Sequence, residues 1–200
     1  VEGVVARDDL DAAGGAAGEL EGGLVGFGAG VREERPDGES GEQRETEVQA
    51  TDRSLWLSIT GAPRIAAGRI FIGEAGSEFH QRGYMAAYDA DNGKELWRWW
   101  VVPGDPSLGF EQPELEWAAK TWNGEWWKTG GGGAPWDGIT YDPVTDLVYV
   151  GTGNGAPWPA EIRSPGGGDN LFTTSIVALD AKTGKYRWHY QTTPLDSFDY

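Results

Sequence analysis

A tryptophan-ended repeat constrains the fold of this chain more than any other sequence feature. The stretch AAYDADNGKELW at 86–97 aligns without a gap with VALDAKTGKYRW at 177–188. The matched pairs are Asp89 and Asp180, Gly93 and Gly184, Lys94 and Lys185, and Trp97 and Trp188. The pattern predicts strand, turn and strand, because Asp can cap a tight turn and Gly supplies its positive φ. We expect the two tryptophans to pack between neighbouring units, since an indole offers a large flat face.

The spacing of the two copies indicates a β-propeller. They start 91 residues apart (177 minus 86), and a third hairpin, YDPVTDLVYV, lies between them at 141–150. Two units of roughly 45 residues fit this interval, which is the length of a propeller blade. Short apolar stretches such as GRIFIG and LVYVGTG indicate further strands, and PELEWAAKTW is the one plausible short helix. The predicted fold class is therefore all-β, a β-propeller of tryptophan-docking repeats.

Residues 1–47 differ from the rest of the chain in amino-acid composition and in hydrophobic periodicity. The stretch from 6 to 47 is rich in Gly, Ala, Glu and Arg and has no sustained period of two or 3.6. This composition predicts weak order. We therefore divide the chain into a poorly ordered or unrelated segment, 1–47, and a folded domain, 48–200. One hypothesis for 6–47 is an out-of-frame translation of an ordinary blade, which translating the other two DNA frames would test.

Charge and cysteine content narrow the classes of function. The chain holds 32 Asp and Glu against 16 Lys and Arg, a net charge of −16. Nucleic acid and anionic membranes are disfavoured as partners, because neutralising phosphates needs Lys and Arg. No apolar run is long enough for a membrane span, and no signal peptide opens the chain at Val1. Cysteine is absent, so no disulfide framework is encoded.

Six further motifs, in one order, make the chain resemble quinoprotein alcohol dehydrogenases. They are ITGAPRI (59–65), GEAGSEFHQRGY (73–84), GGGGAPWDG (130–138), GTGNGAPW (151–158), RSPGGGDNLF (163–172) and HYQTTPLDSFDY (189–200). That family uses pyrroloquinoline quinone (PQQ) with a bound metal, usually Ca²⁺, on the axis of an eight-bladed propeller. The resemblance covers about 48–200 and implies a partial propeller of about three blades. It also implies a periplasmic location, although no leader is present in this sequence.

The resemblance implies three metal ligands that lie far apart along the chain. Glu78 of AGSE, Asn154 of GTGNGAPW and Asp199 of SFDY match the family positions. Carboxylate and amide oxygens suit Ca²⁺, and a lanthanide is the second choice of cation. Asp199 would also be the catalytic base that takes the alcohol proton. Taken singly, these residues have plainer interpretations: an exposed strand-end Glu, an Asn-Gly turn and a turn Asp, for which Asp196 competes.

Five other residues match family positions that contact PQQ. Trp136, which follows the four glycines, would lie flat under the PQQ ring, because glycine permits close backbone approach and indole offers a broad π-face. Hydroxyl and backbone N–H donors for the PQQ carboxylates and carbonyls would come from Thr60, Ala75, Gly76 and Ser77. The plainer interpretation makes Thr60 a strand residue and Gly76 a bulge.

Some positions depart from the family pattern or carry no role in it. Ala134 stands where a Thr is common, and Phe198 stands where Trp is frequent. The adjacent cysteine pair that usually covers the other face of PQQ is missing. We expect Arg82 to be structural. A tryptophan cluster at 117, 122, 126 and 127 either lines a substrate funnel or fills a loop.

The family chemistry implied is the oxidation of an alcohol to an aldehyde by hydride transfer to PQQ. Electrons would then pass to a cytochrome c or a haem domain. Two other classes remain open on the repeat alone: a non-catalytic propeller scaffold of the outer-membrane assembly lipoprotein type, and a sugar-binding propeller. The set formed by Glu78, Trp136, Asn154 and Asp199 favours the enzyme, because a scaffold has no need of it.

Overall fold

The structure is a computed structural model, which describes residues 3–6, 26–31, 44–52, 54–55 and 57–198. Up to residue 47 the description concerns the backbone alone. In that part β1 (Gly3–Ala6), β2 (Gly26–Val31) and β3 (Arg44–Val48) form a three-stranded sheet, with β1 parallel and β3 antiparallel to β2. Most of the segment 6–47 lies outside the described residues, so its weak order and its out-of-frame origin stay predictions.

Two four-stranded antiparallel sheets with the same connectivity form the main body of the fold. The first blade comprises β4 (Arg64–Ala66), β5 (Arg69–Gly73), β6 (Tyr84–Asp89) and β7 (Glu95–Trp100). The second blade comprises β9 (Ile139–Asp142), β10 (Leu147–Gly151), β12 (Ser175–Asp180) and β13 (Tyr186–Gln191). Two further strands of two residues each, β8 (Gly131–Gly132) and β11 (Gly155–Ala156), pair with each other. Strands that pair in chain order are the plan of a propeller blade, which confirms the predicted fold class.

Helices are few and short. The predicted helix forms as α1 (Pro113–Ala118), whose proline occupies the first turn, where its missing N–H is not needed. A 3₁₀ turn, Ala119–Thr121, continues it. A second helix, α2 (Ala160–Arg163), was not predicted. Within the described residues, no helix has the length and apolar character needed to cross a bilayer.

Side chains alternate across the first blade, as the two-residue period of a strand requires. On β5, Ile70 and Ile72 lie in one apolar cluster and Phe71 lies in another. The Phe71 cluster extends into the second blade through Val148, Val150, Val177 and Leu179. The main core therefore lies between the two blades.

Trp97 joins the blades where the repeat predicts an inter-blade contact. Its Nε1 donates a hydrogen bond to the carbonyl of Ala181 at 3.1 Å. Its indole lies so close to Gly184 that a Cβ there would be 2.6 Å from the ring. These contacts confirm the packing role of Trp97. Trp188, its equivalent on the second blade, is 43 % exposed and lies 5.8 Å from the Tyr149 ring, so its inter-blade contact stays a prediction.

The turns of both repeats use the predicted chemistry. Oδ1 of Asp89 accepts hydrogen bonds from the amides of Asp91 and Asn92. Oδ1 of Asp180 accepts from the amide and hydroxyl of Thr183. Asp caps and left-handed glycines therefore close both hairpins.

Two of the four clustered tryptophans are interior packing. Trp122 and Trp126 are buried, and their Nε1 atoms donate to the carbonyls of Leu171 and Pro103. Their burial with satisfied N–H groups is typical of core tryptophans. Of the two interpretations offered by the sequence, these two residues favour loop filling.

Arg82 is structural, as expected. Its Nη atoms bind both carboxylate oxygens of Glu111, its Nε donates to the carbonyl of Val102, and its guanidinium lies 4.4 Å from the centroid of Trp100. This side chain ties a loop to the edge strand of the first blade.

Candidate active site

The connections of the two blades lie at two opposite ends. Because consecutive strands are antiparallel, short turns follow β4, β6, β9 and β12 at one end, here called the turn end. Longer connections follow β5, β7, β10 and β13 at the other, the loop end. Arg64 at the start of β4 donates to the carbonyl of Ile139 at the start of β9, at 3.0 Å. The loop ends of the two blades therefore lie side by side.

The predicted site residues that the structure describes belong to the loop end. Thr60 precedes β4, and the segment 75–78 lies between β5 and β6. Trp136 precedes β9, and Asn154 follows β10. Asp199 lies outside the described residues, but the chain leaves β13 toward the same end through 192–198. The topology alone thus gathers residues that are far apart in sequence.

The glycine run 130–133 is ordered backbone rather than a slack linker. All four glycines have positive φ, between 78° and 84°, a conformation that costs other residues roughly 1–2 kcal/mol each. Gly132 accepts a hydrogen bond from the amide of Gly83, and the amide of Gly133 donates to the carbonyl of Asn154, both at 2.9 Å. A Cβ on Gly132 would lie 2.6 Å from the amide nitrogen of Ala156. The run lets three backbone segments meet where side chains would not fit.

Glu78 is held by a 3₁₀ turn, Ser77–Phe79, at the loop end. The hydroxyl of Ser77 accepts a hydrogen bond from the amide of Ala134 at 2.9 Å, which ties this turn to the glycine-rich segment. The Cα atoms of the turn approach those of β8 and β11 within 8 Å. Glu78 itself is exposed. Its carboxylate is therefore presented on an ordered turn beside the strand that follows Asn154.

Asn154 directly precedes β11 and is half-buried. Its Nδ2 donates to the carbonyl of Gly155 at 3.1 Å. Its Oδ1 accepts no hydrogen bond from any residue in the described part of the chain. The amide nitrogen is thus engaged while the carbonyl oxygen remains to bind a cation.

Backbone contacts bring the Thr60 segment beside the Ala75–Glu78 segment. Ser58 and Ala75 exchange two backbone hydrogen bonds, at 3.0 and 2.8 Å. Thr60, two residues further on, is exposed, whereas Gly76 and Ser77 are buried. The hydroxyl of Ser77 is already engaged with Ala134, so a direct contact between that hydroxyl and a ligand would compete with this bond.

Trp136 presents its indole at the surface of the loop end and is 55 % exposed. Its carbonyl oxygen lies so close to Gly61 that no Cβ fits there, and its Cδ1 would lie 3.6 Å from a Cβ on Gly153. These two glycines are the direct neighbours of Thr60 and Asn154. The backbone of Trp136 thus lies beside the Thr60 segment, and its exposed indole lies beside the Asn154 segment.

Asp196, the competing choice for the base, has a structural position. It is 2 % exposed, and its Oδ1 lies 3.7 Å from Nη2 of Arg163. A buried carboxylate beside a buried guanidinium is poorly placed to take a proton from a substrate. Asp199 remains the predicted base on the sequence pattern alone.

Glu74 is a buried carboxylate that sequence reasoning missed. It is 1 % exposed, and neither of its oxygens has a hydrogen-bond partner among the described residues. Burial raises the pKa of Glu74 to about 8. The nearby backbone of Tyr84 lowers this pKa somewhat, and the negative charge of Glu78 raises it further. The signal was present, because the alternation that buries Ile70 and Ile72 continues to position 74.

The residues present fit a hard cation next to a flat cofactor. Glu78 and Asn154 offer oxygen donors, which hard cations prefer, and Trp136 offers a flat apolar face. No group of three or more His, Asp or Glu side chains suited to a metal occurs within the described residues. A complete site therefore needs donors besides the two described here, and Asp199 is the predicted third.

Comparison with known proteins identifies the family of this chain. The family profile for PQQ, described as glucose/ethanol/alcohol dehydrogenase, beta-propeller domain, matches residues 38–200. The chain is 58 % identical over 153 residues to quinohemoprotein alcohol dehydrogenase ADH IIB of Pseudomonas putida, covering 76 % of this chain and 22 % of that protein. It is 56 % identical over 164 residues to quinohemoprotein alcohol dehydrogenase of Comamonas testosteroni, covering 76 % and 23 %.

Solved structures show the same likeness. The crystal structure of quinohemoprotein alcohol dehydrogenase from Comamonas testosteroni superposes with a TM-score of 0.72 at 51 % identity, over 82 % of this chain and 24 % of that one. A europium-containing methanol dehydrogenase gives a TM-score of 0.67 at 36 % identity, over 82 % and 29 %. The chain thus spans between 22 % and 29 % of the length of these relatives. On this evidence the chain belongs to the family of PQQ-dependent glucose, ethanol and alcohol dehydrogenase β-propeller domains.

Proposed function

We propose that the protein containing this chain oxidises an alcohol to an aldehyde, with PQQ and a hard metal cation bound at the loop end. The observation that carries the proposal is the meeting of three segments: the Glu78 turn beside β8 and β11, the adjoining Asn154, and the exposed indole of Trp136. Ca²⁺ is the first choice of cation. A lanthanide is the second, supported by the europium-containing relative.

The chain's own residues would bind and orient the reactants. Glu78 would hold the cation through its carboxylate and Asn154 through Oδ1, and Trp136 would offer its indole face to the cofactor ring. Thr60 and the backbone of Ala75 and Gly76 would donate hydrogen bonds to its polar groups. When bound, PQQ supplies a two-electron quinone that accepts hydride from the alcohol carbon next to a Lewis-acidic cation.

Proton removal is assigned to Asp199. A carboxylate near a cation stays ionised, because the positive charge lowers its pKa. Such a carboxylate is a weak base, so close positioning of the substrate hydroxyl must compensate. Asp199 would accept that proton at a carboxylate oxygen.

The electron acceptor is proposed to be a cytochrome c or a haem domain, in the periplasm. The relatives described as quinohemoproteins, and a lupanine 17-hydroxylase described with cytochrome c, support this partner class. The acidic net charge of −16 suits a partner with a basic face.

Tryptophan fluorescence during addition of PQQ and Ca²⁺ tests the proposal. We expect quenching that requires both, because the ring would stack on Trp136 only with the cation in place. Trp136→Phe should lose a large part of the quenching while retaining the Ca²⁺ requirement of the product-forming reaction.

Glu78→Gln and Asn154→Ala should each raise the Ca²⁺ concentration for half-maximal quenching at least about tenfold, equivalent to 1.4 kcal/mol. Glu116→Gln is the matched control, because Glu116 is exposed on α1, and it should leave the titration unchanged. Quenching that is independent of Ca²⁺, or equal effects of the Glu78 and Glu116 changes, would contradict the proposed site.

A further inference from the structure

Arg163 at the end of α2 is a fully buried cation with every nitrogen engaged. It is 1 % exposed. Nε donates to Oδ1 of Asn170 at 3.0 Å, and Nη1 donates to the carbonyls of Pro157 and Trp158, both at 2.9 Å. Nη2 donates to the carbonyl of Asp196 at 2.5 Å and lies 3.7 Å from its carboxylate. One planar guanidinium thus binds three chain segments that are separate in sequence.

The first of these segments carries Asn154. The guanidinium of Arg163 lies against the backbone of Gly155 so closely that no Cβ fits between them. The carbonyl of Gly155 accepts the side-chain hydrogen bond of Asn154, and Pro157 and Trp158 directly follow β11. Arg163 therefore supports the backbone that orients the Oδ1 of Asn154.

The second segment leads to Asp199. Asp196 is three residues before it, a reach of at most about 10 Å even for extended chain. Asp199 itself lies outside the described residues, so the part that Arg163 holds is the segment that leads to it. The two segments also meet at their outer ends, where the rings of Trp158 and Phe198 are 6.1 Å apart.

The third segment anchors Arg163 to the core. Asn170 is fully buried, and its Nδ2 and amide both donate to the carbonyl of Thr121. The residue after it, Leu171, accepts the Nε1 hydrogen bond of Trp122. The guanidinium is therefore held by the packed interior rather than by a loop of its own.

We propose that Arg163 is a positioning residue that fixes the separation between the segment 154–158 and the segment preceding Asp199, and so shapes the cation site through two of its ligands. The metal part of this inference rests on the proposed function. Only an arginine meets the requirement, because its planar fork reaches acceptors on several sides, whereas lysine concentrates its donors at one point.

Arg163→Lys tests this in the full protein that contains the chain, first without cofactor or metal. Amide hydrogen exchange should accelerate together in 154–158 and in 196–198, because both segments lose their shared partner. Faster exchange confined to α2, or faster exchange in one of the two segments without the other, overturns the positioning role of Arg163. Because this measurement needs no cofactor or metal, its outcome does not depend on whether the proposed function is correct.

The second measurement is the Ca²⁺ titration of PQQ-dependent fluorescence quenching. Arg163→Lys should raise the half-saturating Ca²⁺ concentration by about 10- to 100-fold, the range found for residues that orient metal ligands. The same substitution should have a clearly smaller effect in the Asn154→Ala background than in the parent, since one of the two ligands through which it acts is then already lost. Additive effects overturn the proposal.

Gly184→Ala serves as the matched control for general destabilisation, because Gly184 lies at the blade joint, away from the loop end. It should lower the melting temperature without altering the Ca²⁺ titration. If it weakens Ca²⁺ binding as much as Arg163→Lys at equal loss of melting temperature, the effect of Arg163 is general stability and the inference fails.

Discussion

Glu74 shows how one buried side chain couples the stability of this domain to pH. Its carboxylate is enclosed without a hydrogen bond from the described residues, and burial raises its pKa to about 8 against an ordinary value of 4.5. Between these two values the unfolded chain releases the proton and the folded chain keeps it. The contribution of this side chain to the free energy of unfolding should therefore be fully present below about pH 4.5 and should be lost as the pH rises toward 8.

Glu74→Gln should remove this dependence, because the amide does not titrate. Without metal, the melting temperature of the variant should exceed that of the parent by a margin that widens from pH 5 to pH 8. The slope removed is at most about 1.4 kcal/mol per pH unit. Scanning calorimetry in EDTA measures it, with Glu116→Gln as the exposed control. A parallel pH profile for parent and Glu74→Gln would show that the carboxylate is already ionised in the folded protein.

Single residues were predictable where a local motif names their chemistry. Asp89 and Gly93 follow from turn geometry, and Trp97 follows from its place in the repeat. Arg163 could not be assigned in this way, because its importance comes from a buried contact with Asp196, 33 residues distant. A sequence window contains no record of such burial.

At the scale of elements, the joint between Trp97 and Gly184 connects the blades and can be measured. Gly184→Ala adds a Cβ 2.6 Å from the indole at a φ of 69°. Gly68→Ala is its matched control, since Gly68 has a φ of 71° and no atom within 4 Å of the added Cβ. Both changes pay the left-handed backbone cost of roughly 1–2 kcal/mol.

We expect Gly184→Ala to lose about 1–3 kcal/mol more than Gly68→Ala, from overpacking against Trp97. Melting temperatures and denaturant midpoints of the two variants give the difference. Equal losses would mean that the indole moves aside freely, and the joint would then contribute little to holding the blades together.

The strands of both blades were predictable because each hairpin carries its own turn signal. The glycine run 130–133 was not predictable as ordered structure. Its order comes from hydrogen bonds to Gly83 and Asn154, each on a different segment, and a run of glycines alone favours slack chain. The relative placement of Glu78, Trp136 and Asn154 likewise depends on these long-range backbone contacts.

At the scale of the whole molecule, the second blade leaves one apolar face uncovered. Ile176, Trp188 and Tyr190 are each at least 43 % exposed and lie on β12 and β13. Exposed apolar faces and open sheet edges promote association between chains. The face is the equivalent of the one that Trp97 occupies in the first blade.

The 200-residue chain on its own should therefore be poorly stable and self-associate. Sedimentation velocity should show mass increasing with concentration, and Trp188→Ser with Tyr190→Ser should reduce it. Leu108→Ser is the control, because Leu108 is 86 % exposed in a 3₁₀ turn outside this face. A monomeric chain that melts cooperatively would contradict the expectation.

The division into a turn end and a loop end has a practical consequence for attaching this domain to a surface. The 200 residues contain no cysteine, so one thiol introduced at exposed Lys182, in the β12–β13 turn, would be unique within them. Coupling through that thiol to a gold electrode would anchor the molecule by its hairpins. The opposite pole, with Trp136 and Glu78, would then face the bulk solution.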